Sequence, residues 1–158
     1  MALFNLSELR AALPAGLRLM GLDPGSRIVG IALSDVALSV ASPFGSLRRG
    51  KLAAAAAEIR AIADRERVGA LVVGLPLSMD GTFGPAAQAA KDWALALSEA
   101  SAIPAAMWDE RLSSATANRF LVDRADLSRA KRAASVDRLA AAIMLQAALD
   151  ATRPDMQG

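Results

Sequence analysis

The stretch LRLMGLDPGSRIVGIALSD, residues 17–35, sets two apolar runs on either side of Pro-Gly-Ser-Arg, and each run ends in an aspartate, Asp23 and Asp35. Proline fixes φ at the second position of a tight turn and glycine supplies positive φ at the third, so Pro24-Gly25 predicts a type II turn joining two antiparallel strands. A third strand over about 38–47 completes a meander. Further on, LAAAAAEIRAIADRERV (52–68) repeats Leu52, Ile59 and Ile62 at helical spacing among good helix formers. GALVVGL (69–75) is a continuous apolar run between glycine and proline, the pattern of a strand buried on both faces.

Pro85 opens a helix to about residue 100, proline being at home in a first turn, and IPAAMW (103–108) supplies a fifth strand that ends at Asp109-Glu110. A helix over 113–122, a polar basic connection over 123–134 and a last helix capped by Ser135 are expected next. A short amphipathic helix over 6–13, stopped at Pro14, precedes the meander. The order βββαβαβαα implies an α/β fold: a mixed five-stranded sheet, antiparallel first and βα-alternating afterwards, with helices on both faces. Residues 1–16 read as an N-terminal extension, 17–150 as one domain and 151–158 as a tail.

The chain has 158 residues, enough for one core without staples. Its hydrophobic content is 54%, much of it alanine, and the longest apolar helical stretch, 139–149, falls far short of the ~20 residues that span a bilayer. No basic region precedes an apolar run at the N-terminus, so the expectation is a cytoplasmic protein without a membrane segment. With no histidine and no cysteine, the chain cannot build disulfides, zinc fingers, cysteine nucleophiles or histidine relays. Carboxylates, Lys/Arg, hydroxyls and bound hard metal ions remain. The net charge is only +2, but residues 111–138 hold seven basic side chains against three acidic ones, an excess of four that suits phosphate contacts as well as a solvated face.

Asp23 ends an apolar strand before a glycine turn, Glu110 ends another, and Asp137 is placed in the first turn of the last helix. Each has an ordinary structural explanation alone: a turn aspartate, a surface carboxylate, a helix-dipole partner. Strand ends of a twisted sheet share one crevice, however, and a helix packed across them can present its first turn there. Three carboxylates with no histidine beside them form an all-oxygen set suited to Mg²⁺ or Mn²⁺. Asp35 and Asp109 are candidates for a fourth ligand or equally for strand-end caps. Arg111, Lys131 and Arg132 flank the set as candidates for binding substrate phosphate, with ion pairing to neighbouring acids as the alternative for the first two. Trp93 and Trp108 read as packing.

Four ordered blocks, GLDPGSRIVGIALSD, VVGLPLSMDGT, WDERLSS and SVDRLAAAIMLQ, together resemble the YqgF family of Holliday-junction-resolvase-like proteins, described as pre-16S rRNA nucleases. The resemblance spans about residues 19–149. It implies an RNase H-like fold and metal ligands at Asp23, Glu110 and Asp137; the chemistry expected of such a histidine-free carboxylate set is hydrolysis of a phosphodiester by water with two ions ~3.5 to 4 Å apart. It implies structured RNA as substrate, within pre-ribosomal particles, with branched DNA as runner-up. Pro24 stands where the family more usually has a large apolar residue. A non-catalytic RNA-binding maturation factor is the alternative from another class. DPGSRIVG also resembles the phosphate loop of actin-like ATPases and sugar kinases, although those enzymes pair two such domains.

Overall fold

The computed structural model describes residues 3–25, 27–77, 80–113 and 129–154, with the backbone alone for 112, 113 and 129–137. Five strands form one sheet: β1 (Arg18–Pro24), β2 (Ile28–Ser34), β3 (Ala41–Arg48), β4 (Val68–Leu75) and β5 (Ala105–Asp109), in the order β3-β2-β1-β4-β5. β1, β2 and β3 are antiparallel, and β4 and β5 then join parallel to β1. The helices are α1 (Leu6–Ala12), α2 (Leu52–Glu66), α3 (Pro85–Ser101) and α4 (Arg129–Ala151), with a 3₁₀ turn at Glu110–Ser113. Meander, βα alternation and helices on both faces all match the pattern read from sequence. Of the helix expected over 113–122, residues 114–122 lie outside the described residues and Ser113 ends the 3₁₀ turn; of the connection expected over 123–134, residues 123–128 lie outside them.

Two cores follow from the alternation of the strands. Met20 and Leu22, Val29 and Ile31, and Leu71 and Val73 face α2 and α3. Leu19, Ala32, Ala70, Val72 and Ala106 face α1 and α4. The second face is built of small residues, which lets α4 lie close. A Cβ on Gly21 would stand 2.9 Å from Leu145 Cβ and 3.4 Å from the Ala141 carbonyl. α4 runs antiparallel to β1: Gln146 bonds the Ala41 amide (2.8 Å) and the Ser39 carbonyl (2.9 Å) beyond the end of β2. The N-terminal half of α4 is thereby directed toward the end of β1 that carries Asp23.

Residues 4–12 are integrated with this core. Phe4 bridges Ala106 in parallel, Leu6 and Leu9 are buried, and the Arg10 guanidinium donates to the carbonyls of Leu149 (2.8 Å) and Leu38 (2.8 Å). No helix among the described residues is long and apolar enough to cross a membrane.

Two expectations are overturned. The β1–β2 connection is not a type II turn, because Gly25 does not adopt positive φ. Its amide instead donates to the Ile28 carbonyl at 2.9 Å, and a Cβ there would come within 2.7 Å of that oxygen. Glycine serves close approach here, not a left-handed conformation. Nor does the last helix start at Ser135. α4 covers Arg129–Ala151, so Ser135 lies inside the helix and not at its start, Asp137 is the ninth helical residue, and Lys131 and Arg132 belong to the first turn. Polar residues without an apolar period read as a connection, yet Arg, Ala and Lys are strong helix formers and carry the helix through Ser135.

Candidate metal centre and nucleic-acid interface

Asp23 lies next to last on β1, paired with Gly30 of β2, and alternation puts it on the face that α4 covers. Glu110 follows β5 on the far side of β4, two strand spacings or about 9.6 Å of backbone away. The gap is closed over Gly74 of β4. A Cβ on Gly74 would stand 2.4 Å from Glu110 Oε1 and 3.1 Å from its Cγ and Cδ, so the glutamate side chain lies across the glycine backbone. There Glu110 hydrogen-bonds Asp23.

Burial, chiefly, pushes the Glu110 carboxyl up to about 8; its hydrogen bond to Asp23 and the charges of Asp23 and Asp109 add to the effect. A carboxylate cannot donate to another carboxylate, so the hydrogen bond between them needs a proton, and the raised Glu110 carboxyl is the group that carries it.

The other candidates divide. Asp109 is tied to Arg111 by a fork, with Nη2 to Oδ2 at 2.7 Å and Nε to Oδ1 at 3.1 Å, and also accepts the Arg111 amide at 3.0 Å. The guanidinium, first, and then that amide hold the Asp109 carboxyl below its usual range. Arg111 also lies over the 80–82 loop, its Nη1 being 3.2 Å from where a Gly81 Cβ would stand. Within that loop Asp80 accepts from the Thr82 amide at 2.9 Å, an Asx turn.

Asp35 is at the opposite end of the sheet, where it accepts from the Ser39 amide (2.8 Å), the Val40 amide (3.1 Å) and the Ser39 hydroxyl (3.1 Å). It is a loop cap, remote from Asp23, and drops out as a ligand. Asp137 shares the i, i+4, i+8 stripe of α4 with buried Ala141 and Leu145, the residues that press on Gly21, and its side chain is outside the described residues. The side chains of Lys131 and Arg132 are outside them too. Among the described residues no group of three or more carboxylates gathers.

Sequence reasoning missed Gly74. A lone glycine late in an apolar strand marks close approach of something to the backbone, and GLP (74–76) carried that signal. Trp93 and Trp108 do pack, as read, but with polar consequences. The Arg49 guanidinium sits 5.5 Å over the Trp93 ring, and the buried Trp108 indole N–H has no partner among the described residues.

The family model described as "RuvX: Holliday junction resolvase" matches residues 17–151. A protein of Gluconacetobacter diazotrophicus named "Putative pre-16S rRNA nuclease" is 63% identical over 152 residues, 96% of this chain and 99% of that one. One of the same name from Acidiphilium cryptum is 60% identical over 150 residues, 95% and 94% of the two chains. The solved structure of Thermus thermophilus RuvC superposes with a TM-score of 0.50 at 13% identity, covering 89% of this chain and 97% of that one. That likeness is one of fold, and it agrees with the RNase H-like architecture of the sheet. Family model and relatives, each spanning nearly the whole chain, place it without ambiguity: the chain belongs to the RuvX (YqgF) family of Holliday-junction-resolvase-like nucleases.

Proposed function

We propose that this chain is a metal-dependent endonuclease that hydrolyses phosphodiester bonds in structured RNA, acting in maturation of the 5′ end of pre-16S rRNA within pre-ribosomal particles in the cytoplasm. The observation that carries it is the Asp23–Glu110 pair, two carboxyls drawn from separate strands and brought into hydrogen-bond contact over Gly74. The two carboxyls bring oxygens from separate strands within hydrogen-bond reach of each other, the donor set of a hard cation. Bound Mg²⁺ or Mn²⁺, as two ions on the sequence reading, supplies Lewis-acid polarisation of the phosphate and a water of lowered pKa.

The residues of the chain do the rest. Asp23 and Glu110 hold oxygen ligands at the C-terminal ends of β1 and β5. Asp137 joins them from α4, since its stripe descends on the Asp23 face and its helix runs toward that end of β1. No side chain of this histidine-free chain has to accept the proton of the attacking water, and none has to act as nucleophile. Arg111, fixed by Asp109, offers a pre-oriented guanidinium beside Glu110 for substrate phosphate. Lys131 and Arg132, in the first turn of α4, add positive charge toward the strand that enters the site.

Branched DNA is the second reading, favoured by the family's resolvase description. Purified protein with Mg²⁺, offered a precursor 16S rRNA fragment and a four-way DNA junction, decides between them. Cleavage of the RNA at the precursor boundary, lost in chelator and in Asp23→Asn, is the expected result. Undiminished cleavage in EDTA overturns the metal reading; binding without cleavage by wild type in Mg²⁺ and Mn²⁺ makes the chain a maturation factor instead.

A further inference from the structure

The sequence run LRRGK (47–51) closes β3, at the same end of the sheet as Asp23. A groove of about 520 Å³ opens there, lined by Arg27, Ile28, Arg48 and Gly50. Both arginines are exposed, and neither side chain makes a hydrogen bond or ion pair with another described residue. Register relates the groove to the carboxylates. Asp23 pairs with Gly30, which pairs with Ser46, and Arg48 follows two residues later opposite Ile28. Leu47 is buried on the α2 face, so alternation turns Arg48 to the same face as Asp23. Two strand spacings sideways and two residues along place the Arg48 backbone about 12 Å from that of Asp23.

The residues on either side of Ser26 are tied to the end of β3. The Arg49 amide donates to the Arg27 carbonyl at 2.8 Å and its guanidinium to the Gly25 carbonyl at 3.0 Å, while Trp93 supports that guanidinium from below. Arg49 is thus consumed in fixing the turn. Arg27 and Arg48 are the guanidiniums left facing outward.

We propose that Arg27 and Arg48 form a second phosphate-binding surface, which grips the phosphodiester backbone of the substrate beyond the scissile bond, on the β1–β2–β3 side opposite Arg111. The proposal rests on the nuclease reading above and deepens it. Two exposed arginines without a described partner line one groove at the Asp23 end of the sheet, the Arg48 backbone about 12 Å from that of Asp23, and this placement fits a strand that crosses the site and continues over the meander. They contact backbone charge and read no base, so the grip is indifferent to sequence.

The test is binding in EDTA, where cleavage is silent. Full-length wild type and Arg27→Ala/Arg48→Ala are titrated by fluorescence anisotropy with a labelled RNA stem-loop bearing a single-stranded extension, and with DNA of the same sequence, from 50 to 300 mM NaCl. The double variant is expected to bind the RNA on the order of tenfold more weakly at low salt, with the log–log salt slope reduced by about 1.4 to 1.8, two contacts at 0.7 to 0.9 each. Arg27→Lys/Arg48→Lys should recover most of that slope, because charge is retained. An unchanged slope in the alanine variant, with wild-type binding intact, overturns this surface and leaves the nuclease reading standing. Equal loss in the alanine and lysine variants overturns it as well, since a fold defect then explains the loss; thermal melting of both variants is measured alongside. If the alanine variant weakens only on DNA, RNA is the wrong source of the backbone. If wild type neither binds nor cleaves either polymer, the nuclease reading falls and this proposal with it.

Discussion

Asp23 and Asp35 look alike in sequence, each closing an apolar strand before a turn, and the fold treats them in opposite ways. Asp35 receives two backbone amides and a hydroxyl from its own loop, and these hold its carboxyl below the usual range, the Ser39 amide first. Asp23 receives a second carboxyl, carried across the sheet from β5. At one end of the sheet the chain supplies every donor that a carboxylate wants. At the other it brings two carboxyls together, an arrangement that costs stability unless a proton or a cation lies between them. The difference separates the aspartate that caps a loop from the one proposed for the site more sharply than position or burial does.

The largest effect should come from exchanging charge at the two ends. Under the proposed metal reading Asp23→Asn and Glu110→Gln each remove a ligand oxygen worth several kcal/mol at the transition state, so cleavage should fall on the order of a thousandfold or more. Asp35→Ala should leave cleavage within a few-fold and lower the melting temperature, at roughly 2 to 4 °C per kcal/mol for a domain of this size, with ~1 to 2 kcal/mol lost from the cap. Activity assays and thermal scans on the three variants check this. A Asp35→Ala protein that melts like wild type yet is inactive would invert the comparison.

Gly74→Ala comes next. It adds one methyl where Glu110 Oε1 would be 2.4 Å away, and the glutamate has to leave the bridge. Cleavage is expected to drop on the order of ten- to a hundredfold, with the Asp23 carboxylate still present. Full activity in a folded Gly74→Ala protein would show that Glu110 does not need to cross the sheet.

How much of this was open to the sequence depends on whether a feature is local. Apolar period and turn residues gave every strand of the sheet, because each signal lies within ten or so residues. Glu110 was legible as a strand-end carboxylate, but its meeting with Asp23 depends on strand order and on one missing side chain in β4. The start of α4 was misread because its first turns, RAKRAAS, carry no apolar period, and helix propensity decided it instead. Gly25 was given the right place and the wrong reason, since φ is invisible in a residue name. The arginines of LRRGK escaped attention because only the denser run at 111–138 stood out.

The two ends should also respond oppositely to pH in metal-free protein. The folded Glu110 carboxyl titrates near 8, above the 4.5 of an exposed glutamate, so the protonated form favours the fold: its contribution is complete below about pH 4.5 and is lost as pH rises through 8. Asp35 is depressed below 3.8, so its contribution is present above that pH and is lost as acid passes through the folded value. Melting temperature measured with chelator should decline by a few degrees from pH 5 to 8.5. Glu110→Gln should flatten that decline and melt higher than wild type at pH 8.5, while Asp35→Ala should leave the alkaline limb alone and blunt the acid one. An alkaline limb untouched by Glu110→Gln would mean that the bridge holds no proton.

The smallest effect belongs to the support beneath the turn. Arg49 donates to the Gly25 carbonyl two residues past Asp23 and rests on Trp93, so it acts on the site only by fixing where β1 ends. A cation–π contact at a partly exposed position contributes ~0.5 to 1 kcal/mol, and a charge-assisted hydrogen bond to a carbonyl about 1.5 to 3 kcal/mol before solvent competition. Trp93→Leu keeps the bond and loses the ring, whereas Arg49→Ala loses both. Melting temperature should therefore fall in the order wild type, Trp93→Leu, Arg49→Ala, and cleavage should fall in the same order but by less than in Gly74→Ala, because neither change moves Glu110. The Asp35 end is braced from elsewhere: besides the aspartate, Arg10 donates to the Leu38 carbonyl and Gln146 to the Ser39 carbonyl of its loop. If Arg49→Ala proves as inactive as Asp23→Asn while melting close to wild type, the guanidinium touches substrate and the turn is braced by something else.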